Sequence, residues 1–425
     1  MTQKKLILIV IDGLGDRPLK ELKNRTPLDT AKTHALDQMS RHAELGLVQV
    51  IENTAPESDA AVLSLLGYTP SKFYTGRGPL EAVGSGIDFE PGNLVMRANF
   101  ATTSNGKDIV DRRVARTLTD SEAKELENAI NKIRLDVGFE FRATTAHRGI
   151  LVLKEQLSPM ITNTDPAYAI QYGLPHALPK YEMKIQQSVA IQEIAKAQRS
   201  AQLVNEFTAK VHRALDKHPV NKKREQRGLL KANAILLRDP GTEKPRLFNI
   251  SEKFNKTFTI IADMPLEKGI GKLSGMRVIG INVHGEHAQE YKKRLAATLQ
   301  ALGDSDVVYI HLKAPDLYGH DGDTNGKIES IERIDKYFMF PLMAELQKRH
   351  HETIVAVTAD HATPCELKAH AADPVPLMIY HGTKYKGAAH CFSEKECQRS
   401  ALYLKGPELM QHLVGKTVTT KPRGV

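Results

Sequence analysis

The sequence predicts an α/β fold: a mostly parallel sheet with helices on both faces, carrying an inserted α+β domain. Three observations point there. The run Leu6-Ile-Leu-Ile-Val-Ile11 is apolar throughout with no alternation, as in a strand buried on both faces. After Asn249, five strand-like runs alternate with helical stretches. Asp and His residues close several of these strands, before residue 89 and again after 300. One domain built from both ends of the chain accounts for that, and an open α/β sheet places its chemistry at strand carboxyl ends.

Taken in order, residues 4–11 read as a buried parallel strand and 45–51 as a second. Residues 58–66 read as a helix with Ala60, Ala61, Leu63, Leu65 and Leu66 apolar, stopped by Gly67-Tyr-Thr-Pro70. Gly76-Arg-Gly-Pro79 and Gly84-Ser-Gly86 mark loops. Near residue 89 the texture changes. Stretches 93–101 and 149–153 read as strands, and 120–135 as a helix with Asp120 as its N-cap. A long helix is expected over 188–217, with Ile191, Ile194, Val204, Phe207, Val211 and Leu215 on one face. Strands return at 258–262, 276–282, 307–312, 353–358 and 376–380, separated by helices such as 288–302 and 328–348. Residues 1–88 and 264–425 are therefore expected to form one discontinuous domain, with 89–263 inserted.

Composition narrows the function classes. With 425 residues, 41% hydrophobic and 26% charged, the chain is long enough for two or three ordinary globular domains. The 6–11 run is too short for a signal core or a membrane span, and Asp12-Gly13 breaks it, so a cytoplasmic protein without a membrane partner is expected. The three cysteines, Cys365, Cys391 and Cys397, form no CxxC and fit a reducing compartment. Net charge is +9, and residues 180–231 hold 12 Lys/Arg against 5 Asp/Glu. That segment has no interleaved aromatics and no helix-turn-helix or zinc-finger spacing, so it reads as a solvated basic face rather than a nucleic-acid site. A positive field also attracts a small phosphorylated acid.

The chemistry-bearing residues sit at strand ends. Asp360-His361 closes Val355-Ala-Val-Thr-Ala, Asp12 closes the first strand, and Asp316 and His320 lie four apart in a Gly- and Asp-rich loop. His370 follows nine residues after His361. Mixed Asp/His ligation suits Zn²⁺ or Mn²⁺ better than an all-oxygen Ca²⁺ or Mg²⁺ cage. The set suffices for two ions, which about 4 Å apart hold both oxygens of a phosphoryl transfer. Ser58 opens the 58–66 helix. It reads as an N-cap (with Asp59 the alternative cap) or as a nucleophile needing metal activation, since no Gly-x-Ser-x-Gly elbow is present. Gly13-Leu-Gly15 lacks the third glycine of a dinucleotide site, and Gly269-Ile-Gly-Lys272-Leu-Ser274 is not a P-loop.

Together these residues resemble the archaeal-type cofactor-independent phosphoglycerate mutases, within the alkaline phosphatase superfamily. The resemblance spans most of the chain. It is carried by Ile9-Val-Ile-Asp-Gly-Leu-Gly-Asp16, Ser58-Asp59-Ala60, Thr75-Gly-Arg-Gly-Pro-Leu-Glu-Ala82, Arg97-Ala-Asn-Phe-Ala-Thr102, Asp111-Arg112, Asn163-Thr-Asp-Pro166, the Asp316–Asp323 loop, and Asp360-His-Ala-Thr-Pro-Cys365 leading to His370 and Asp373-Pro-Val-Pro376. It implies an alkaline-phosphatase-like catalytic domain with two metal sites. One uses Asp316, His320 and His370; the other uses Asp12, Asp360 and His361, with Ser58 as ligand and nucleophile. It also implies interconversion of 3-phosphoglycerate and 2-phosphoglycerate through phosphoserine, without bisphosphoglycerate. Mn²⁺ leads the expected ions, with Zn²⁺, Co²⁺ or Mg²⁺ as alternatives. The inserted domain would act as a substrate-binding lid. In it Arg112 and Arg148 are expected to bind the acid's carboxylate and Asp165 to shuttle protons, while Lys268 resembles the family's phosphate-contacting lysine. Glu57 departs from the pattern by standing where glycine is expected. So does Ala314-Pro315, where proline biases Ala314 toward an extended shape. The alternatives are a metal-dependent phosphomonoesterase or phosphotransferase on another small phosphorylated hydroxy acid, and a nucleic-acid-binding protein using the basic segment.

Overall fold

A computed structural model describes residues 4–171, 174–178, 180–281, 285–348 and 352–417. The chain divides into two compact units, 1–73 with 247–425 and 74–246. Both junctions lie earlier than the sequence suggests. Strand Phe258–Ala262 pairs with Arg277–Gly280 and Val307–Leu312, so it belongs to the large sheet. Helix Arg77–Gly84 packs on Leu94–Thr103 and Ala234–Gly241, strands of the second unit.

In the first unit an eight-stranded sheet runs Arg277–Gly280, Phe258–Ala262, Val307–Leu312, Lys5–Ile11, Thr353–Thr358, Val375–Tyr380, Ala43–Gln49, Leu402–Lys405. Val375–Tyr380 is antiparallel to both neighbours, and every other pairing is parallel. Leu6 to Ile11 are each 0% exposed, which explains the missing alternation. Each such side chain contributes roughly 1.5–3 kcal/mol of burial. One group of helices (Ser58–Leu65, Pro265–Leu273, Gly406–Lys416) packs together, and a second gathers Ala288–Asp304, His34–Ser40 and the residues around 335–339. The helix expected over 328–348 is broken by a π turn at Asp335–Met339, just before Pro341, whose missing N–H and ring disfavour a regular α ladder. Strand Leu402–Lys405 escaped the sequence reading because it is four residues long and half exposed at the sheet edge. The expected 276–282 strand is seen at Arg277–Gly280; Asn282 lies outside the described residues.

Register fixes where the chemistry falls. Ile11 pairs with Leu312 and Val10 with Thr358, so three adjacent strands stop at one edge. Asp12, the 313–316 turn and Asp360-His361 follow immediately. Gly13 has φ 64°, and a Cβ there would lie 2.7 Å from Asp316 Cα, so the loop closes only around glycine. Ala314 is not extended, as Pro315 suggested: its φ is 137°, because the turn must bring the Asp316 N–H onto Asp12 O at 3.0 Å. Lys327, fully buried, clamps these loops by donating to Asp16 Oδ2 at 2.8 Å, Thr363 O at 2.9 Å and Gly15 O at 3.1 Å.

The second unit is an antiparallel α+β fold. Leu94–Thr103, buried at every position, lies between Arg148–Leu153 and Ala234–Gly241, with Phe139–Ala143 beyond and Ile109–Asp111 at one end. Helices Asp120–Ile130 and Ala195–Leu215 close the core around Phe100, Phe141, Phe207 and Val204. Thr119, not Asp120, caps the first, in a capping box with Glu122. That helix stops at Ile130 because Asn131 turns its amide onto Phe141 N and O, at 2.8 and 2.7 Å. The long helix starts at Ala195, since Ser188 is tied to Asn205 and Thr162 in an extended segment, leaving Ile191 and Ile194 exposed. Arg224, from the basic run, is fully buried on Glu122 at 2.6 Å and on Thr117 and Leu230, so part of that charge is structural.

Candidate metal centre and arginine cluster

Two donor groups form where the central strands of the first unit end. In one, Asp316 Oδ1, His320 Nε2 and His370 Nε2 lie 3.1–3.5 Å apart. Ligands roughly 2.1 Å from a tetrahedral ion are separated by about 3.4 Å. His320 Nδ1 faces Lys368 O at 3.1 Å, and His370 Nδ1 faces Pro56 O at 2.9 Å. A carbonyl only accepts, so each Nδ1 carries the proton and each Nε2 presents a lone pair. Two such lone pairs face to face need a cation between them. Without an ion, burial pulls His370 down, but Glu57 and Asp316 outweigh it and lift the imidazole to about 10. Burial likewise opposes ionisation of Asp316, yet His370 and His320 hold it well below the usual carboxylate range.

The other group is deeper. Asp12 Oδ1, Asp360 Oδ2 and His361 Nε2 are buried without hydrogen-bond partners. His361 Nε2 lies 3.4 Å from Asp12 Oδ1 and 3.3 Å from Asp360 Oδ2. The far end of each side chain is fixed. Asp360 Oδ1 accepts from Gly13 N and His361 N, both at 3.1 Å. His361 Nδ1 meets Thr363 Oγ1 at 3.0 Å, and that hydroxyl donates to Asp316 Oδ1 at 2.8 Å, leaving the His361 Nε2 lone pair free. Orphaned buried donors of this kind are costly unless a cation completes them. The residues present therefore fit divalent metal ions. Asp12, shared by Asp316-His361 and by His311-Asp360 sets, joins the groups.

Ser58 is the first residue of helix Ser58–Leu65, and Glu57 takes the N-cap position. The His370–Pro56 contact fixes the chain two residues before it, and Glu57 Oε1 is 3.5 Å from His370 Nδ1. Three neighbours of Asp12 were not singled out from sequence: Glu267, His311 and Lys313. The one available signal was a histidine inside the otherwise apolar strand Val307–Leu312. Lys268 lies elsewhere, beside Gly280 on a strand two removed from that one, while its neighbour Glu267 faces the cluster.

In the second unit Arg112 and Asp165 form a bidentate pair, Nε–Oδ1 3.0 Å and Nη2–Oδ2 2.7 Å. Burial raises the Asp165 carboxyl, but Arg112 more than offsets this, so its pKa is lowered. Such a carboxylate is a poor base, and the geometry favours holding Arg112 over shuttling protons. Arg148 belongs to a larger, largely buried set: Arg77, Arg97 and Arg148 gather around Glu81, and Arg238 lies close by, with Nε 3.5 Å from Asp239 Oδ2 and its guanidinium over the Tyr168 ring. Glu81 Oε1 accepts from Arg77 Nε at 2.7 Å and lies 3.5 Å from Arg97 Nε. Burial, with Arg77 close by, pulls Arg97 down to about 9. Burial and Arg148 pull His147 to about 2, leaving it neutral. Nε of Arg97, Arg148 and Arg238, and Nη1 of Arg238, have no hydrogen-bond partner. Guanidinium N–H groups that make no hydrogen bond, in positive excess over the nearby Glu81 and Asp239 carboxylates, suit an anion. Arg97 showed itself as a lone charge in a buried strand; Arg238 gave no comparable signal.

Comparisons with known proteins point to one family. Residues 40–221 match the family model described as 2,3-bisphosphoglycerate-independent phosphoglycerate mutase. A protein of that name from Aeropyrum pernix is 44% identical over 94% of this chain and 95% of its own length. One from Archaeoglobus fulgidus is 38% identical over 95% and 96%. Among solved structures, a cofactor-independent phosphoglycerate mutase from Thermoplasma acidophilum aligns with TM-score 0.60 and 30% identity, over 98% of this chain and 100% of that one. No helix among the described residues is long and apolar enough to cross a membrane.

Proposed function

The chain belongs to the 2,3-bisphosphoglycerate-independent phosphoglycerate mutases, and on that premise we propose that it interconverts 3-phosphoglycerate and 2-phosphoglycerate through a phosphoserine at Ser58, with two divalent ions and no bisphosphoglycerate. The observation that carries this reading is the pair of donor groups with unpartnered, buried atoms at the strand ends, beside the segment that leads into Ser58. Asp316, His320 and His370 would hold one ion; Asp12, Asp360 and His361, with the Ser58 oxygen, would hold the other. Bound ions, with Mn²⁺ first among the candidates, would supply a lowered serine pKa and charge neutralisation of the transferring phosphoryl.

The residues then have the following work. Ser58 Oγ attacks phosphorus as the bond to the 3-oxygen breaks, and its proton passes to that oxygen. The glycerate re-orients, its 2-hydroxyl attacks the phosphoserine, and the serine recovers a proton. Ser58 stands at the N-terminus of helix Ser58–Leu65, whose dipole favours the anionic phosphate. Glu57 steadies His370. The buried arginines, with Arg148 among them and Arg112 braced by Asp165, are the groups for the acid's carboxylate. Of the two lysines, Lys313 is the one beside Asp12, at 2.8 Å, which favours it over Lys268 as the cation near the phosphoryl. Residence in the cytoplasm, where the free Cys365, Cys391 and Cys397 stay reduced, belongs to the same reading.

Two measurements test it. ³¹P NMR of the protein with 3-phosphoglycerate and Mn²⁺, and no bisphosphoglycerate, should show a 2-phosphoglycerate signal that EDTA abolishes; inorganic phosphate alone would mean a phosphomonoesterase. Arg238→Lys keeps the charge but loses the fork, and its Nε and Nη1 are among the unpartnered atoms. Steady-state kinetics should show KM for phosphoglycerate rising roughly 10- to 100-fold, with kcat changed less. An unchanged KM would remove Arg238 from substrate binding.

A further inference from the structure

Beside Asp12 and Asp360 lie three side chains, His311, Glu267 and Lys313, that the expected ligand set leaves unused. His311 has a side chain 1% exposed and an Nε2 with no hydrogen-bond partner. That atom points between two carboxylates, 3.4 Å from Asp360 Oδ2 and 3.7 Å from Asp12 Oδ2. On its other side, Nδ1 lies 3.3 Å from Glu267 Oε1, closer than the Tyr309 hydroxyl at 3.4 Å. Glu267 is placed to accept the Nδ1 proton, and Nε2, with the Asp12 and Asp360 carboxylates, forms a three-residue set whose donor atoms all lie within 4.8 Å of one another, so a divalent ion there would replace whatever proton the two carboxylates draw to Nε2. Carboxylate-backed imidazoles of this kind are what metal sites use to orient a ligand.

The charges agree. Lys313 Nζ lies 2.8 Å from Asp12 Oδ2 and 2.9 Å from Glu267 Oε1. Asp12, Asp360 and Glu267 against the one ammonium of Lys313 leave an excess of carboxylate that a divalent ion would balance, with the His311 ring giving up its Nε2 proton to that ion. Lys313 also occupies the Asp12 oxygen nearer to it, which leaves Oδ1, the unpartnered one, for an ion.

We propose that His311 is a ligand of the ion held by Asp12 and Asp360, set in place by Glu267. This rests on the reading that the protein binds two divalent ions. His311 thereby adds a buried protein donor to the site, and Glu267 is a positioning residue that acts through it.

The test uses the full chain stripped of metal and titrated with Mn²⁺ by calorimetry, together with the visible absorption of the Co²⁺-loaded protein. Wild type should take up two ions. His311→Gln should keep one at unchanged affinity and weaken the other at least about tenfold, with an altered Co²⁺ spectrum. Glu267→Gln should weaken the same ion about tenfold, and it carries the prediction if His311→Gln does not fold. Two ions bound by either folded variant at wild-type affinity, with an unchanged Co²⁺ spectrum, would overturn the assignment. A wild type that binds no Mn²⁺ or Co²⁺ would overturn the two-metal reading itself, and the assignment with it.

Discussion

Ser58→Ala is expected to lower the mutase rate by at least about 10⁵-fold while leaving fold and metal uptake intact. A nucleophile that forms the covalent intermediate has no substitute, and a loss of that size corresponds to about 7 kcal/mol of barrier. The fold should not notice. Glu57, not Ser58, holds the N-cap position, so no cap is lost, and alanine is the best helix former. The melting temperature should therefore stay within a few degrees of wild type, as expected for a change worth about 0.5 kcal/mol. Because Asp12, Asp360 and His361 remain, the variant should still bind Mn²⁺, more weakly at the ion that Ser58 joins. Catalysis by Ser58→Ala near the wild-type rate would exclude the covalent route, whatever the metals do.

Asp360→Asn should have the next largest effect, through the metal. The carboxylate is 0% exposed. Its Oδ1 takes two backbone N–H groups, from Gly13 and His361, and an amide oxygen can take both. Its Oδ2 is the unpartnered atom between His361 Nε2 and His311 Nε2. Burial opposes ionisation of Asp360, but His361, His311 and Lys313 hold it below the usual carboxylate range. Asp12 shows the opposite: burial and the Asp360 charge raise its pKa. Removing the Asp360 charge relieves that repulsion but also takes away the charge that His361, His311 and Lys313 favour, so the metal-free variant should melt below metal-free wild type at neutral pH. Lost besides is ion affinity, expected to fall on the order of 100-fold or more for one of two ions, because orienting groups alone are worth 10- to 100-fold. The stabilisation that Mn²⁺ confers on wild type should shrink accordingly. Equal Mn²⁺ affinity in calorimetry would remove Asp360 from the ligand set.

The contrast between these two residues shows what was legible in the sequence. Asp360 and Asp12 stand directly after unbroken apolar strands, and such strands can only be central in a sheet, so both residues had to share its carboxyl edge. His320 was tied to Asp316 by spacing, and His370 by its distance from His361. His311 was hidden for the reverse reason. It lies within a strand, where a lone histidine is more often a satisfied core residue, and its meaning depends on Glu267 and Asp12, which are remote in sequence. Arg77, Arg97 and Arg238 were given no role from sequence, since three-dimensional packing, not spacing, brings Arg77 and Arg97 to Glu81 and Arg238 beside them. Arg112 and Asp165 were named separately from sequence, and their pairing with each other was not legible there. Domain junctions slipped because helix Arg77–Gly84 and strand Phe258–Ala262 carry no mark of which unit they pack into.

The covalent step at Ser58 is the centre of this account, and one measurement reaches it directly. The protein, loaded with Mn²⁺ and turning over 3-phosphoglycerate, is quenched in acid, digested and examined by peptide mass spectrometry. The account predicts phosphate on the peptide containing Ser58, absent without substrate and absent in Ser58→Ala. Active turnover with Ser58 unmodified at every quench time, or phosphate on a different residue, would contradict it.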